Sequence, residues 1–452
     1  MNVAILGTGY VGLTTGACLA FLGHKVTCVD PDTTKIDALE RGEVPFYEPY
    51  LEELIAEARP KLSFTTDYGE AIPEAQVVFI AVGTPPGKNG APDLQYLQAA
   101  AQGVGELLGP HFTVVVNKST VPIGSGNWVG ALVRDAAERR GRGKDCFAVA
   151  SNPEFLREGS ALRDSLYPDR VVVGADEPQT AEVLYTLYRP ILDQTFPAPS
   201  FLPRPERVGG VPLISTDLAS AELIKYAANA FLALKISYIN EIGQLAEKVG
   251  ADIAQVARGI GLDARIGNRF LQAGLGWGGS CFGKDTAALV STASEYALDM
   301  AIVKAAREVN RRQRERVVEK LLAELKILKG RTVGLLGLAF KPHTDDLREA
   351  PALDVARQLI ERGARVKAHD PVAMERFKKE HAPLEHILCA TPAEVARDSD
   401  ALVLVTEWPQ YLDLDWEALA ASMRTPILLD GRHVLDRARV TRAGFRYLGL
   451  AG

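Results

Sequence analysis

At 452 residues the chain is too long for one compact core, so two or three domains are expected. Apolar residues make up 47% and charged residues 24%, as in ordinary globular proteins, while 51 Lys and Arg against 57 Asp and Glu leave a net charge of -6. That acidic balance speaks against nucleic-acid binding, no apolar run reaches the roughly 18 residues of a membrane span, and five scattered cysteines without Cys-x-x-Cys argue against a disulfide framework or a structural zinc site.

The seven histidines show no ligand spacing, so no metal is expected. Met1 leads straight into a strand pattern without a basic-then-apolar leader, which predicts a cytoplasmic, reducing location.

In chain order, residues 3–6 read as a buried parallel strand. Gly7-Thr8-Gly9-Tyr10-Val11-Gly12 follows, then a helix through Leu22 ended by Gly23, then a strand from Lys25 to Val29 closing on Asp30. Further strands are expected at 77–82, 113–117 and 148–150. They end on Gly83-Thr84-Pro85, Lys118-Ser119-Thr120 and Ser151-Asn152-Pro153-Glu154. Polar or glycine-rich residues at the carboxyl ends of strands are where an open α/β sheet builds its site. Residues 196–212 carry five prolines and read as a linker or surface excursion closing a first domain, 1–212. Long helical patterns at 216–249 and about 291–329 make the middle region, 213–329, all-helical, and helices of this length commonly bridge domains or build a dimer core.

Residues 330–452 repeat the logic of the first domain. Thr332 to Gly337 resembles Val3 to Gly7, Gly363 to Pro371 echoes Gly23 to Pro31, and Ala401 to Pro409 echoes Val77 to Pro85. The third glycine of the first copy is missing, with Lys341-Pro342 in its region. The expected architecture is therefore α/β, with two Rossmann-like parallel-sheet domains joined by a central all-helical region.

The glycine motif follows a strand, opens a helix and precedes an acid at the end of the next strand. Its first two glycines permit a tight turn and close approach of a pyrophosphate, and the third lets helix pack on strand. Asp30, 18 residues after Gly12, can accept from a ribose 2′-hydroxyl. Asp32 nearby, with no adjacent Arg, would repel a 2′-phosphate, so NAD is expected rather than NADP.

Gly274 to Asp285 reads Gly-Leu-Gly-Trp-Gly-Gly-Ser-Cys-Phe-Gly-Lys-Asp. Its glycines expose backbone N–H groups, and Lys284 and Asp285 supply charge. Free cysteine is usually an inert small hydrophobe, but this setting favours a nucleophile at Cys281 over the core-patterned Cys18 and Cys28. Lys225 and Asn229 are i, i+4 and share a helix face within an apolar stretch. A solvated charge is the commoner fate of a helical lysine, and donors for a developing oxyanion are the alternative; spacing alone leaves both open.

The chain resembles the UDP-glucose 6-dehydrogenase family along essentially its whole length. The resemblance rests on Gly-Thr-Gly-Tyr-Val-Gly, Val82 to Pro85, Lys118 to Pro122, Asn152 to Gly159, Lys225 to Asn229, Gly278 to Asp285, Phe340 to Pro342 and Asp345 to Glu349. It implies NAD-dependent four-electron oxidation of UDP-glucose to UDP-glucuronate through a thiohemiacetal and thioester on Cys281. Lys225, Asn229 and Asp285 would handle the proton and oxyanion, Asp285 through an ordered water, with Glu154 as base for thioester hydrolysis and Thr120 near it.

The same resemblance assigns NAD contacts to Gly7, Gly9, Tyr10, Val11, Gly12, Asp30, Lys35, Thr84, Thr120, Lys284 and Arg348. It assigns the UDP-sugar to Glu154, Phe155, Leu156, Arg157, Glu158, Lys225, Asn229, Phe270, Leu271, Gln272, Ala273, Gly274, Gly278, Cys281, Lys341 and Arg432. Arg265 matches an arginine that reaches a neighbouring subunit's substrate, which implies a homodimer or larger assembly. Two features depart from the family pattern: the proline-rich excursion is long, and His433 stands where many relatives have Asn. The resemblance leaves as alternatives the same chemistry on GDP-mannose or a UDP-N-acetylhexosamine and, more remotely, a non-catalytic nucleotide-sugar sensor, for which the thiol would be superfluous.

Overall fold

The fold is that of a computed structural model, which describes residues 1–85, 87, 91–206 and 209–451. The chain divides into two compact units, Met1–Ala227 with Ala287–Tyr296, and Ala228–Thr286 with Ala297–Gly452.

The first unit is built on an eight-stranded sheet: β1 (Asn2–Leu6), β2 (Lys25–Val29), β3 (Leu62–Thr65), β4 (Val77–Ile80), β5 (Thr113–Asn117), β6 (Phe147–Ser151), β7 (Val171–Ala175) and β8 (Leu213–Thr216). The order is β3-β2-β1-β4-β5-β6-β7-β8, parallel except for β6 against β7. Val3 pairs with Val26 on one side and Val77 on the other. Successive side chains leave opposite faces of a strand, and both faces are buried here. Val3, Ile5, Val77 and Phe79 enter one apolar cluster, while Ala4, Leu6, Val78 and Ile80 enter another. That double burial explains why these strands read as continuous apolar runs.

The expected linker at 196–212 is instead part of the fold over its described residues; 207 and 208 lie outside them. Phe196, Leu202 and Val211 are buried in the first cluster. Tyr167 donates its hydroxyl to Leu202 O at 3.1 Å, and the Val211 N–H bonds Leu192 O at 2.8 Å. The prolines deny regular structure to a segment whose apolar side chains still have a core to enter, and composition reports only the first of these facts.

The second unit carries a five-stranded, all-parallel sheet: β9 (Thr332–Leu336), β10 (Arg365–His369), β11 (Ala401–Leu404), β12 (Ile427–Asp430) and β13 (Arg446–Gly449), in the order β10-β9-β11-β12-β13. The repeat extends to atomic detail. Asp30 takes the Thr8 N–H, and Asp370, at the matching strand end, takes the N–H groups of Leu338 and Ala339. In the second copy Trp408 Nε1 also donates to Asp370, at 3.1 Å.

A long helix spans Leu218–Val249. The second helical stretch expected over 291–329 is broken: one helix, Phe282–Glu295, ends before Ala297, which turns left-handed (φ 57°), and another spans Ala301–Leu325. Neither glycine nor proline marks that break in the sequence.

Candidate active site

In the first unit the carboxyl ends of β1, β4, β5 and β6, neighbours in the sheet and mutually parallel, bring four motifs to one edge. At the end of β1, Gly7 turns left-handed (φ 103°), and a Cβ on Gly12 would lie 1.9 Å from Gly7 O, so the helix Tyr10–Phe21 can start only where a side chain is absent. At Gly9, by contrast, an added Cβ would meet nothing within 4 Å. That open cradle, at a helix N-terminus with no side-chain cap and no acid in its first turn, suits a pyrophosphate. Asp30 accepts from the Thr8 N–H (3.0 Å) and hydroxyl (2.9 Å) and from the Asp32 N–H (3.1 Å), with Lys35 Nζ 3.6 Å away. Burial opposes its charge, but those donors and Lys35 hold the carboxyl below its usual range. A carboxylate offers about four acceptor positions, so one remains for a ribose hydroxyl. Asp32 caps the following helix through the N–H groups of Thr34 and Lys35.

Thr84 Oγ1 donates to Thr120 O at 3.0 Å, tying the turns after β4 and β5 together. Beyond β6, Glu154 Oε1 accepts from Lys225 Nζ at 2.8 Å and Oε2 from the Leu156 N–H at 2.7 Å. Both partners of this ion pair are almost wholly buried. Desolvation pushes the Glu154 carboxyl up, yet Lys225, the Leu156 N–H and Lys118 together hold it below its usual range. Lys225 is therefore no solvated charge. Its Nζ also lies 5.5 Å from the centre of the Phe155 ring, over which the Arg170 guanidinium stacks at 3.7 Å. Arg157 is half-exposed and bound to Asp164, with Leu156 and Glu158 partly buried beside it.

Three residues of this unit were given no role by sequence reasoning. Lys118 is buried, with Nζ 2.8 Å from Asn152 Oδ1, which also accepts from the Tyr188 hydroxyl at 2.6 Å. Burial pulls the Lys118 ammonium down to about 8, against the attraction of Glu154. Glu48 accepts from the N–H groups of Gly159 (2.6 Å) and Ala161 (2.7 Å) and from the Tyr10 hydroxyl, fastening the loop after Glu158. Glu222 accepts from the N–H groups of Gly124 (2.6 Å) and Gly126 (2.8 Å). Lys118 stands in the strand-end motif Lys118-Ser119-Thr120 and Glu222 in the apolar run that also holds Lys225, whereas Glu48 left no trace in the sequence.

In the second unit Cys281 is partly buried and directly precedes the helix Phe282–Glu295, its carbonyl accepting the Asp285 N–H at 2.8 Å. Asp285 is buried and receives Asn229 Nδ2 at 2.6 Å and Lys284 Nζ at 2.9 Å, so three predicted residues form one connected set a turn from Cys281. A Cβ on Gly278 would lie 2.4 Å from Glu349 O and one on Gly283 1.9 Å from the Glu349 carboxylate, so these glycines admit protein.

Other expected contacts are distributed over the second unit. Leu271 and Ala273 are buried in a small cluster with Ile239 and Ile253, Gln272 is exposed, and Phe270 (φ 64°) sets its ring 6.3 Å from that of Phe282. Lys341 stands over the Phe340 ring, Arg348 is bound to Asp346, and Arg265 is fully exposed beside Asp263. Arg432 reaches three carbonyls: Val405 (2.7 Å), Gly276 (3.2 Å) and Phe340 (3.1 Å). His433 adopts φ 54°, a conformation in which Asn, Asp and His are the enriched non-glycine residues, and takes the Ala451 N–H on Nε2. Among the described residues no group of three His, Cys, Asp or Glu could hold a metal ion, and no helix is long and apolar enough to cross a membrane.

A glycine turn from strand to helix, with an acid closing the next strand, defines a dinucleotide-binding domain of Rossmann type. Residues 1–192, 219–312 and 334–437 match, in order, the NAD binding, central and UDP binding domains of the UDP-glucose/GDP-mannose dehydrogenase family. The chain belongs to that family. It is 44% identical to a UDP-glucose 6-dehydrogenase of Rhizobium meliloti, covering 100% of this chain and 99% of the relative. Among solved structures it is similar to a UDP-glucose dehydrogenase from Pyrobaculum islandicum (TM-score 0.88, 41% identity, 100% and 97% covered). A UDP-D-ManNAc dehydrogenase from Pyrococcus horikoshii gives TM-score 0.84 at 26% identity, with 100% and 99% covered.

Proposed function

We propose that this protein oxidises the C6 alcohol of UDP-glucose to the carboxylate of UDP-glucuronate, using NAD and a thioester on Cys281. The observation that carries this reading is the Cys281 thiol one helical turn from the linked Asn229, Lys284 and Asp285. UDP-glucose is favoured over other nucleotide-sugars because relatives named for it reach 45% identity over the full length, against 26% for the N-acetylmannosamine enzyme.

By this reading the glycine loop, Asp30, Lys35, Thr84, Thr120, Lys284 and Arg348 hold NAD, which when bound supplies the hydride acceptor. The C6 alcohol loses a proton and a hydride to become an aldehyde, with Lys225, Asn229 and Asp285 serving the proton and the developing oxyanion. The Cys281 sulfur then bonds to C6 while the aldehyde oxygen takes up a proton, giving a thiohemiacetal. Loss of a second hydride, to a second NAD bound in place of the first, and of the hydroxyl proton turns the thiohemiacetal into a thioester. Water attacks C6, Glu154 accepts its proton, and the C6–sulfur bond breaks to return the thiol. Glu154, held ionised, is ready to act as that base. Keeping the aldehyde bound to sulfur splits a hard oxidation into easier steps and prevents its escape.

The UDP-sugar contacts are assigned to Phe155 to Glu158, Phe270 to Gly274, Gly278, Lys341 and Arg432. The expected parts 1–212, 213–329 and 330–452 would serve cofactor binding, dimerisation with the cysteine loop, and UDP-sugar binding, except that Leu213–Thr216, expected to be helical, is β8 and completes the cofactor-binding sheet. A cytoplasmic homodimer or larger assembly is the proposed state. Phe231, Tyr238, Leu245 and Val249, spaced seven, seven and four along the long helix, form an exposed apolar stripe of the kind a second copy covers. Arg265 lies exposed in the same unit. NADH absorbance with UDP-glucose, GDP-mannose, UDP-N-acetylmannosamine and UDP-N-acetylglucosamine tests the substrate. UDP-glucose should give the highest kcat/KM and two NADH per sugar; no NADH from any of the four would leave the sensor reading.

A further inference from the structure

The backbone leading to Cys281 is irregular and buried, and buried backbone polar groups need partners. They find them on side chains. Asn310, itself buried on the helix Ala301–Leu325, accepts the Trp277 N–H on Oδ1 at 2.7 Å and donates Nδ2 to Trp277 O at 2.9 Å, a reciprocal pair like one rung of a sheet. One turn on, Arg314 Nη2 reaches the same Trp277 carbonyl at 3.0 Å and Glu349 O at 3.0 Å. One turn back, Arg307 Nη1 bonds Gly283 O and Thr286 Oγ1, both at 2.7 Å, on the far side of Cys281. Gly274 is bound through its N–H to Asn240 Oδ1 (2.7 Å) and through its carbonyl to Gln313 Nε2 (2.9 Å). The fit is close: Gly276 is left-handed (φ 90°), and a Cβ there would lie 2.2 Å from Asn310 Oδ1.

We infer that Asn310 and Arg307 are positioning residues that fix the cysteine loop on both sides of the thiol, so that the Cys281 sulfur is aimed at C6. Residues at i and i+3 share one face of a helix, so a single rigid element grips the loop before Cys281 and the first turns of the helix that follows it. Asn310 acts through Trp277 and Arg307 through Gly283, and neither touches the reacting atoms. The inference rests on Cys281 being the nucleophile.

The test uses full-length Asn310→Ala, the isosteric Asn310→Asp and the milder Arg307→Lys. Asn310→Asp keeps the acceptor for the Trp277 N–H but sets a carboxylate oxygen against the Trp277 carbonyl. Accessible Cys281 is titrated with iodoacetamide and counted by mass spectrometry, and kcat is expressed per titratable Cys281. A displacement of about an ångström costs roughly a hundredfold in rate. Per-site kcat should therefore fall ten- to a hundredfold in the Asn310 variants and severalfold in Arg307→Lys, with the KM for NAD within twofold. A residue that only stabilised the fold would lower Tm and yield but leave per-site kcat intact. Per-site kcat within twofold of the parent in Asn310→Asp and Arg307→Lys overturns the inference. Cys281→Ala, assayed in parallel, separates the two readings: acid formation at the parental rate would refute the thioester itself.

Discussion

Lys225 Nζ lies 2.8 Å from Glu154 Oε1, and neither side chain has more than 6% of its surface exposed. Removing one member of a buried pair strands the other charge, at a cost of about 3–5 kcal/mol. Lys225→Met and Glu154→Gln should each lose stability on that scale, and the double variant should lose less than the sum. Urea midpoints for the four proteins measure the coupling. An additive result would mean that the pair contributes nothing.

The same pair sets an acid limit to stability. The Glu154 carboxyl is lowered in the folded state, so its contribution is present above its unfolded value, about 4.3, and is lost as pH falls through the folded value. Stability measured from pH 6 to pH 3 should fall with a component that Glu154→Gln lacks. Identical slopes for parent and variant would remove Glu154 as a contributor.

Lys118 works in the opposite direction. Its ammonium is drawn down to about 8 when folded, while the unfolded side chain holds its proton to about 10.4. Between those values the unfolded state binds more protons, so this group's contribution to stability rises with pH. Lys118→Met should flatten that rise, read as urea midpoints at pH 7.5 to 10. A slope unchanged by the substitution would count against the buried ammonium.

Cys281→Ala should reduce UDP-glucuronate formation by several orders of magnitude, as loss of a covalent catalyst usually does. Cys281→Ser should retain a sugar-nucleotide ester, because esters hydrolyse more slowly than thioesters, and intact mass spectrometry would record it. Cys18→Ser, at a thiol that burial pushes up to about 12, should leave turnover unchanged apart from stability effects.

For the cofactor, Asp30→Asn removes the charge that opposes a 2′-phosphate. The ratio of kcat/KM for NAD over NADP should fall by about tenfold or more, one charge contact of ~1.4 kcal/mol being worth a factor of ten. An unchanged ratio would transfer cofactor choice to other residues.

Much of this was legible from residue order. Gly7 to Gly12 demanded a strand–helix turn, the repeat of Val3 to Pro31 at Thr332 to Pro371 announced a second sheet, and glycines around a cysteine marked the loop. Periodic elements leave periodic traces, and tight turns leave glycines. The antiparallel join of β7 to β6 and the break at Ala297 leave neither. Asn310 was equally silent: its partner Trp277 is 33 positions away, and a side chain bonding an irregular backbone has no spacing to detect. Lys225 could be resolved only once Glu154, 71 positions earlier, stood against it.

The proline-rich stretch has a practical meaning for dissecting the chain. The match to the NAD binding domain stops at residue 192, which invites truncation there. Such a fragment would lack Phe196, Leu202, Val211 and the edge strand β8, each side chain worth roughly 1.5–3 kcal/mol of burial. It would expose raw apolar surface and the flank of β7 to its own copies, an invitation to aggregate. A soluble cofactor-binding piece has to run at least through Thr216.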